Sequence, residues 1–382
     1  MAREWFQNSV VYQIFIDRFA GFEDGSNWHN PEYVGGDIRG IIERLDYIEE
    51  LGVDVIWISP FYQNEAYHGY HVTDFFSVDE NFGTEEDLKE LIEEVHDRDM
   101  KIVADFVPNH CSVNHPYFVE ARNNPGSEFV NWFCFDDWPD HYKSFLDFDS
   151  VLAKIDLDYE PARNHVIAAA KKWLELGLDG YRLDHVIGPS DEFWQVFEKE
   201  IHDEFEDAVL IGEAAWDDSV TENSETVNME RGILGKVASQ EYTQKNYEGL
   251  LDGVLDFKFR DLLLGTLNSS IMPDIAIRPL LKAHYAFFSS DFMLTGFMDN
   301  HDVNRALYEL GQDKEKLKKG LEIMLSIDQP CVIYYGTEIG MTQHHSITEF
   351  PSYGDLQARQ PMQWNDMDGE LLEYFREKIN NR

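Results

Sequence analysis

Asp184 and Glu213 each close a short apolar run, Asp179–Leu183 and Ala208–Gly212, and lie 29 residues apart. That spacing is one strand–helix–strand unit, and neighbouring strands run about 5 Å apart. Two carboxyl groups so placed can reach the roughly 5–5.5 Å separation that glycoside hydrolysis with retention requires, one as nucleophile and one as acid/base. Arg182 stands two residues before Asp184 and so points to the same side of the strand, where its charge is expected to hold Asp184 ionised. Glu213 is followed by Ala214, Ala215 and Trp216, apolar company that favours a retained proton. Asp302, in Asp299-Asn300-His301-Asp302, is the third acid; it would support a cationic transition state while His110 and His301 donate hydrogen bonds. Any one of these acids alone reads as readily as a helix cap. Five strand ends carrying Asp, Glu, His or Arg, counting Asp17-Arg18 and Asp105…Asn109-His110, do not.

The elements that would position them recur regularly. Val10–Ile16, Val53–Ile58, Lys101–Phe106, Asp179–Leu183, Ala208–Gly212, Gly253–Phe257, Phe292–Met298 and Cys331–Tyr335 read as buried strands. Helical periodicity with charged outer faces fills Ile41–Leu51, Glu85–Asp99, Ala162–Leu176, Asp191–Phe205 and Lys314–Ile327, and Leu371–Lys378 reads as an eighth helix. Strands alternating with helices predict a parallel sheet, and eight units predict an α/β fold of the closed (β/α)8 barrel type, with a doubly wound open sheet as the alternative. Polar residues at the C-terminal strand ends are then the catalytic candidates. From Cys111 to about Glu160 no clean helix or strand is predicted. The expectation is a barrel over 1–110 and 159–382, with 111–158 inserted as a small irregular subdomain walling one side of a cleft.

The charge balance narrows the partners. Seventy-three acidic against 31 basic residues give a formal net charge of −42, which repels phosphate backbones and anionic membranes. Salt would screen the self-repulsion, so adaptation to a salty interior is a second expectation. Three cysteines, Cys111, Cys134 and Cys331, make no disulfide framework. The N-terminus has no signal-peptide pattern and no apolar run reaches membrane-span length, so a cytoplasmic enzyme is expected.

At these residues the sequence resembles the α-amylase family, glycoside hydrolase family 13. The family pattern DxxxNH falls on Asp105, Asn109 and His110, GxRxD on Gly180, Arg182 and Asp184, GE on Gly212 and Glu213, and NHD on Asn300, His301 and Asp302. Tyr12-Gln13-Ile14-Phe15, Gly35-Gly36-Asp37, Gly69-Tyr70 with Asp74, Gly336-Thr337-Glu338 and Arg359-Gln-Pro361-Met362-Gln-Trp364 extend the likeness over roughly residues 10–365, in the family's order. The resemblance implies a retaining α-glycosidase acting on α-1,4-glucosidic bonds of starch, maltodextrins or maltooligosaccharides. Asp184 would be the nucleophile, Glu213 the acid/base and Asp302 the transition-state stabiliser. Tyr70 would stack on the reacting glucose, with Asp105, His110, Arg182, His185, Trp216, His301 and Arg305 binding around the substrate.

The chain also departs from the family. Many members carry Lys-His after the nucleophile, at a calcium site; here the run is His185-Val-Ile-Gly188. Asn109 is retained and acidic loops can hold calcium, so a structural calcium stays open, with Asp24-Gly25-Ser26-Asn27 a second candidate turn, and no cofactor is expected for the chemistry. The family's C-terminal β-sandwich is expected to be absent. Within the enzyme class, an exo-acting α-glucosidase or a 4-α-glucanotransferase competes with the amylase reading. A non-catalytic binding subunit would be expected to lack triad acids, and a phosphate-binding barrel would want glycine-rich nests where Gly336-Thr-Glu338 stands.

Overall fold

The structure is a computed structural model, and it describes residues 3–23, 25–145, 151–215, 240–269, 276–350 and 353–382. Eight parallel strands close into a barrel: β1 (Val10–Ile14), β2 (Val55–Ile58), β3 (Lys101–Phe106), β4 (Gly180–Leu183), β5 (Val209–Gly212), β6 (Gly253–Asp256), β7 (Met293–Phe297) and β8 (Cys331–Tyr334). Each pairs with its neighbour in sequence, and β8 returns to β1 with Val10 opposite Cys331. All eight predicted runs are therefore strands, shortened by up to two residues at an end.

Strand alternation divides the core in two. Val11, Val55, Trp57, Val103, Val209 and Ile211 point inward and pack with Leu255, Phe297 and Val332 in one apolar cluster. Their alternates, among them Tyr12, Ile14, Ile56, Ile58 and Leu210, face outward under the helices in a second, larger cluster. Parallel strands buried on both faces carry apolar residues at every position, which is why they read as runs. The inward parity continues past the apolar layer into Gln13, Asp105, Arg182, Asp184 and Glu213. The chain's reactive groups thus stand on top of the barrel interior.

The helices begin where their caps allow. Thr84 and Asp87 form a reciprocal capping box for Glu85–His96, Ser190 caps Asp191–Glu204, and Asp313 caps Lys314–Leu325. The single helix expected over Ile41–Leu51 is two, Ile38–Ile42 and Leu45–Leu51; between them Arg44 lies 4.2 Å over the Trp364 ring. Among the longer helices, Phe257–Asn268 and Ile277–Tyr285 were not foreseen. The first runs Phe-Lys-Phe-Arg-Asp-Leu-Leu-Leu and is too apolar to show a contrasting face.

Nor is the segment after β3 irregular. His110–Ser112 pairs antiparallel with Leu152–Lys154, Pro116–Asn123 is helical, and Phe135–Asp137 pairs with His141–Tyr142. These strands are two or three residues long, below what alternation can reveal in a sequence. After β2, Tyr62–Asn64 and Val72–Val78 form a hairpin whose tip carries Tyr67 to Tyr70 over the barrel mouth.

Gly180 opens β4 at φ +148°, and a Cβ there would stand 2.2 Å from the Val209 carbonyl oxygen on β5. Gly180→Ala is expected to cost about 2–4 kcal/mol in thermal unfolding. Gly265→Ala, on an exposed helix face where an added Cβ meets nothing within 4 Å, is expected instead to gain about 0.5–1 kcal/mol. Equal effects of the two substitutions would refute the packing account.

Candidate active site

Arg182 is 2% exposed and is surrounded by acids. Its Nη1 meets Asp105 and lies 2.9 Å from Asp184 Oδ1; its Nη2 lies 2.8 Å from Glu213 Oε2 and 4.0 Å from Asp302 Oδ2. One guanidinium thus gathers the ends of β3, β4, β5 and β7. The planar fork suits this, because it offers five donors in fixed directions. Local backbone bonds lock the two strand ends: Asp184 N donates to Phe106 O and Glu213 N to Leu183 O, each at 2.8 Å.

Glu213 Oε2 accepts a hydrogen bond from the His185 backbone N at 3.1 Å, with His185 in the left-handed region at φ +45°. The Arg182 charge also lies nearest Oε2, so a proton on Glu213 belongs on Oε1. Asp302 is held at both oxygens, Oδ1 by Arg359 Nη2 at 2.8 Å and Oδ2 by His301 Nε2 at 2.9 Å. Tyr70 donates from its hydroxyl to Asp105 Oδ2 at 3.0 Å, and its ring lies parallel to that of His301, centroids 5.6 Å apart. Trp57 Nε1 donates to the same Asp105 oxygen at 3.1 Å.

The charges do not cancel. Burial pushes the Asp184 carboxyl well up; Arg182 opposes this, and the neighbouring carboxylates Glu213, Asp105 and Asp302 add to it. Glu213 is raised too, by burial and by Asp302, against Arg182. Arg182 was expected to keep Asp184 ionised; its pull is present but is outweighed, and the carboxyls of both acids are raised. Burial also opposes ionisation of Asp302, yet His301, Arg359 and Arg182 more than offset it and hold that carboxyl far below the usual range. Burial keeps His110 neutral, lowered to about 3, with His185 and His71 acting in the same sense.

The sequence-predicted residues separate accordingly. Asp105, Arg182, Asp184, Glu213, His301, Asp302 and Tyr70 form one bonded cluster. His110 and His185 stand beside it, on either side of the Phe145 ring at 4.7 and 4.6 Å. Trp216 lies outside the described residues. Arg305 does not join the others: it is fully buried, its guanidinium stacked 4.1 Å over the Tyr334 ring and bonded to the Tyr335 carbonyl. Three residues from Asp302, it has been turned inward by the bend that enters Ala306–Glu309. Arg359, Trp57 and Gln13 received no role from the sequence. The inward parity of Trp57 and Gln13 was the available signal, and Arg359 was visible only as part of a motif.

The α-amylase catalytic-domain model matches residues 13–371. The chain belongs to the α-amylase family. It is 35% identical over 387 aligned positions to α-amylase 2 of Dictyoglomus thermophilum, covering 99% of this chain and 63% of that protein. An intracellular maltogenic amylase of Bacillus subtilis is 29% identical, over 89% of this chain and 57% of its own length. The cyclic α-maltosyl-(1→6)-maltose hydrolase of Arthrobacter globiformis, solved with its cyclic substrate, superposes with a TM-score of 0.84 at 26% identity, over all of this chain and 84% of that one. The chain thus spans about three fifths of the length of these two amylases.

Calcium, which the family resemblance raised for Asn109, does not fit the residues found there. Asn109 Oδ1 is buried without a hydrogen-bond partner and Gly188 packs against it, a Cβ there standing 2.2 Å from that oxygen. But the Gly188 carbonyl already accepts from the Lys154 ammonium at 2.8 Å, so a positive charge stands where a cation would have to come. Among the described residues no group of three or more His, Cys, Asp or Glu is placed to hold a metal ion; Asp24 of the other candidate turn lies outside them.

Raised folded-state values have a consequence for stability. The stability carried by the protonated carboxyls is present at low pH and lost as pH rises through those values. Asp184→Asn copies the protonated form, so it is expected to raise the melting temperature at pH 8 and to converge with wild type near pH 3. A melting temperature lowered at pH 8 would contradict the crowding of like charge.

Proposed function

We propose that this chain is a retaining α-glycosidase that hydrolyses α-1,4-glucosidic bonds in starch, maltodextrins or related α-glucans, as an α-amylase or maltogenic amylase does. The carrying observation is the single Arg182 guanidinium that touches both Asp184 and Glu213, a closeness that suits a retaining pair.

The roles follow from the bonds. Glu213 gives its Oε1 proton to the glycosidic oxygen as the bond to the anomeric carbon breaks. Asp184 Oδ1 is tied to Arg182, so Oδ2 attacks that carbon from the opposite face and forms the covalent glycosyl-enzyme. Glu213, now a carboxylate, takes a proton from water as the water displaces Asp184, and the original configuration is restored. Asp302, ionised and held at both oxygens, opposes the positive charge that develops on the sugar ring. Tyr70 supports the sugar, with Asp105, His110, Arg182, His185 and His301 binding around it. Residues 111–158 act as the subdomain walling the leaving-group side, where Phe145 meets His185.

The partner is an α-glucan or maltooligosaccharide; a net charge of −42 disfavours nucleic acid and anionic membrane. Among the described residues no helix is long and apolar enough to cross a membrane. A cytoplasmic site of action is in keeping with the relative named an intracellular maltogenic amylase.

A product time course on maltoheptaose and soluble starch tests the reading. Wild type is expected to release short maltooligosaccharides, and Glu213→Gln to lose about three or more orders of magnitude in kcat. Products longer than the substrate would identify a transferase, glucose alone an exo-glucosidase, and silence on every glucan would sink the hydrolase reading. The rate should fall as pH rises and Glu213 loses its proton, and fall again at low pH as Asp184 gains one.

The acidic surface is a separate matter. Raising KCl from 0.1 to 1 M shortens the screening length from about 10 Å to about 3 Å. The melting temperature is expected to rise across that range; a flat or falling curve would remove the case for adaptation to salt.

A further inference from the structure

Gln13 is 1% exposed on β1 and points into the barrel, one inward step above Val11. An aliphatic side chain would fill that place without the cost of burying an amide. The amide's Oε1 is buried and accepts no hydrogen bond, so its whole polar engagement is at Nε2, which lies 2.7 Å from His301 Nδ1. A primary amide nitrogen has only hydrogens to offer, so with the amide in this orientation Nδ1 accepts and the ring proton sits on Nε2.

The other side of the ring agrees. His301 Nε2 lies 2.9 Å from Asp302 Oδ2 and 2.6 Å from the Tyr70 hydroxyl oxygen. Tyr70 spends its own proton on Asp105, which leaves that oxygen able to accept. The other titratable groups that feel the ring are Glu213 and His68; Phe15 and Trp57 pack against it at 5.7 and 6.2 Å, and Arg359 bonds its backbone carbonyl.

We propose that Gln13 is a positioning residue, remote from the substrate, that holds His301 as the neutral tautomer with its proton on Nε2. The assignment rests on the hydrolase reading for its purpose. The transition state is a cationic sugar ring, and an imidazolium beside Asp302 would repel it and spend the charge of that carboxylate. A neutral N–H donor orients Asp302 and leaves its negative charge for the substrate. Arg182 and Arg359, the fixed cations nearby, are already bonded to carboxylates.

The test joins spectroscopy to kinetics. Long-range proton–nitrogen spectra of 15N-histidine protein, with His301 assigned by its loss in His301→Asn, should show the Nε2–H neutral pattern in wild type from pH 6 to 8. Gln13→Glu offers Nδ1–H an acceptor and a negative charge; it should give the imidazolium pattern, with kcat reduced about ten- to a hundredfold and KM nearly unchanged. That loss should shrink as pH rises and His301 gives up its second proton. Gln13→Met, of similar volume, guards against a folding failure: it should mix the tautomers and lower kcat less, without the pH-dependent recovery. A wild-type proton on Nδ1, or a Gln13→Glu deficit that ignores pH, would overturn the proposal. Were wild type inactive on glucans, the hydrolase reading would fail while the spectra still decided the tautomer.

Discussion

One buried guanidinium organises the top of this barrel. Arg182 enters from β4 at the level where the apolar interior ends, and the acids of β3, β4, β5 and β7 converge on it. A charge so deeply buried is tolerable only with partners, and carboxylates so crowded are tolerable only around a cation. The two requirements meet in one place, yet they do not balance. Three carboxylates lie within 3 Å of Arg182 and a fourth at 4.0 Å, so one cation faces an excess of acids. The carboxyls of Asp184 and Glu213 are thus raised by burial and by their neighbours rather than by any special property of Glu213.

Asp302 escapes that pressure because it has its own retinue. Arg359 and His301 take one oxygen each, and its carboxyl is lowered where those of Asp184 and Glu213 are raised. Two carboxyls of the same chemistry therefore behave oppositely a few ångströms apart, and the difference comes from second partners contributed by distant elements. Gln13 extends the arrangement downward into the barrel, where an amide among aliphatic residues fixes the hydrogen of the ring above it.

Much of this was legible in the sequence. Parallel strands buried on both faces print as apolar runs, so all eight strands and the polar residues at their ends could be read directly. Asp184 and Arg182 share a face because two residues separate them, and this too needs no coordinates. What could not be read depends on chain segments far apart. Arg359 meets Asp302 across 57 positions and Gln13 meets His301 across 288. The upward pressure on the Asp184 and Glu213 carboxyls comes from burial and from charges gathered over several strands. Where Arg305 points could not be read either, because its guanidinium lies over Tyr334, a residue of the next strand. The short strands of the insert lie below the length at which alternation shows.

The clasp of Arg359 on Asp302 also carries a history. A chain leaves the ribosome amino end first, so Tyr70, Asp105, Arg182, Asp184 and Glu213 are all made well before residue 359. Until then β1 has an open edge waiting for β8, and Asp302 lacks one of the two partners that keep it charged. The second arginine of the acidic cleft is therefore contributed by a later stretch of chain than every acid around it.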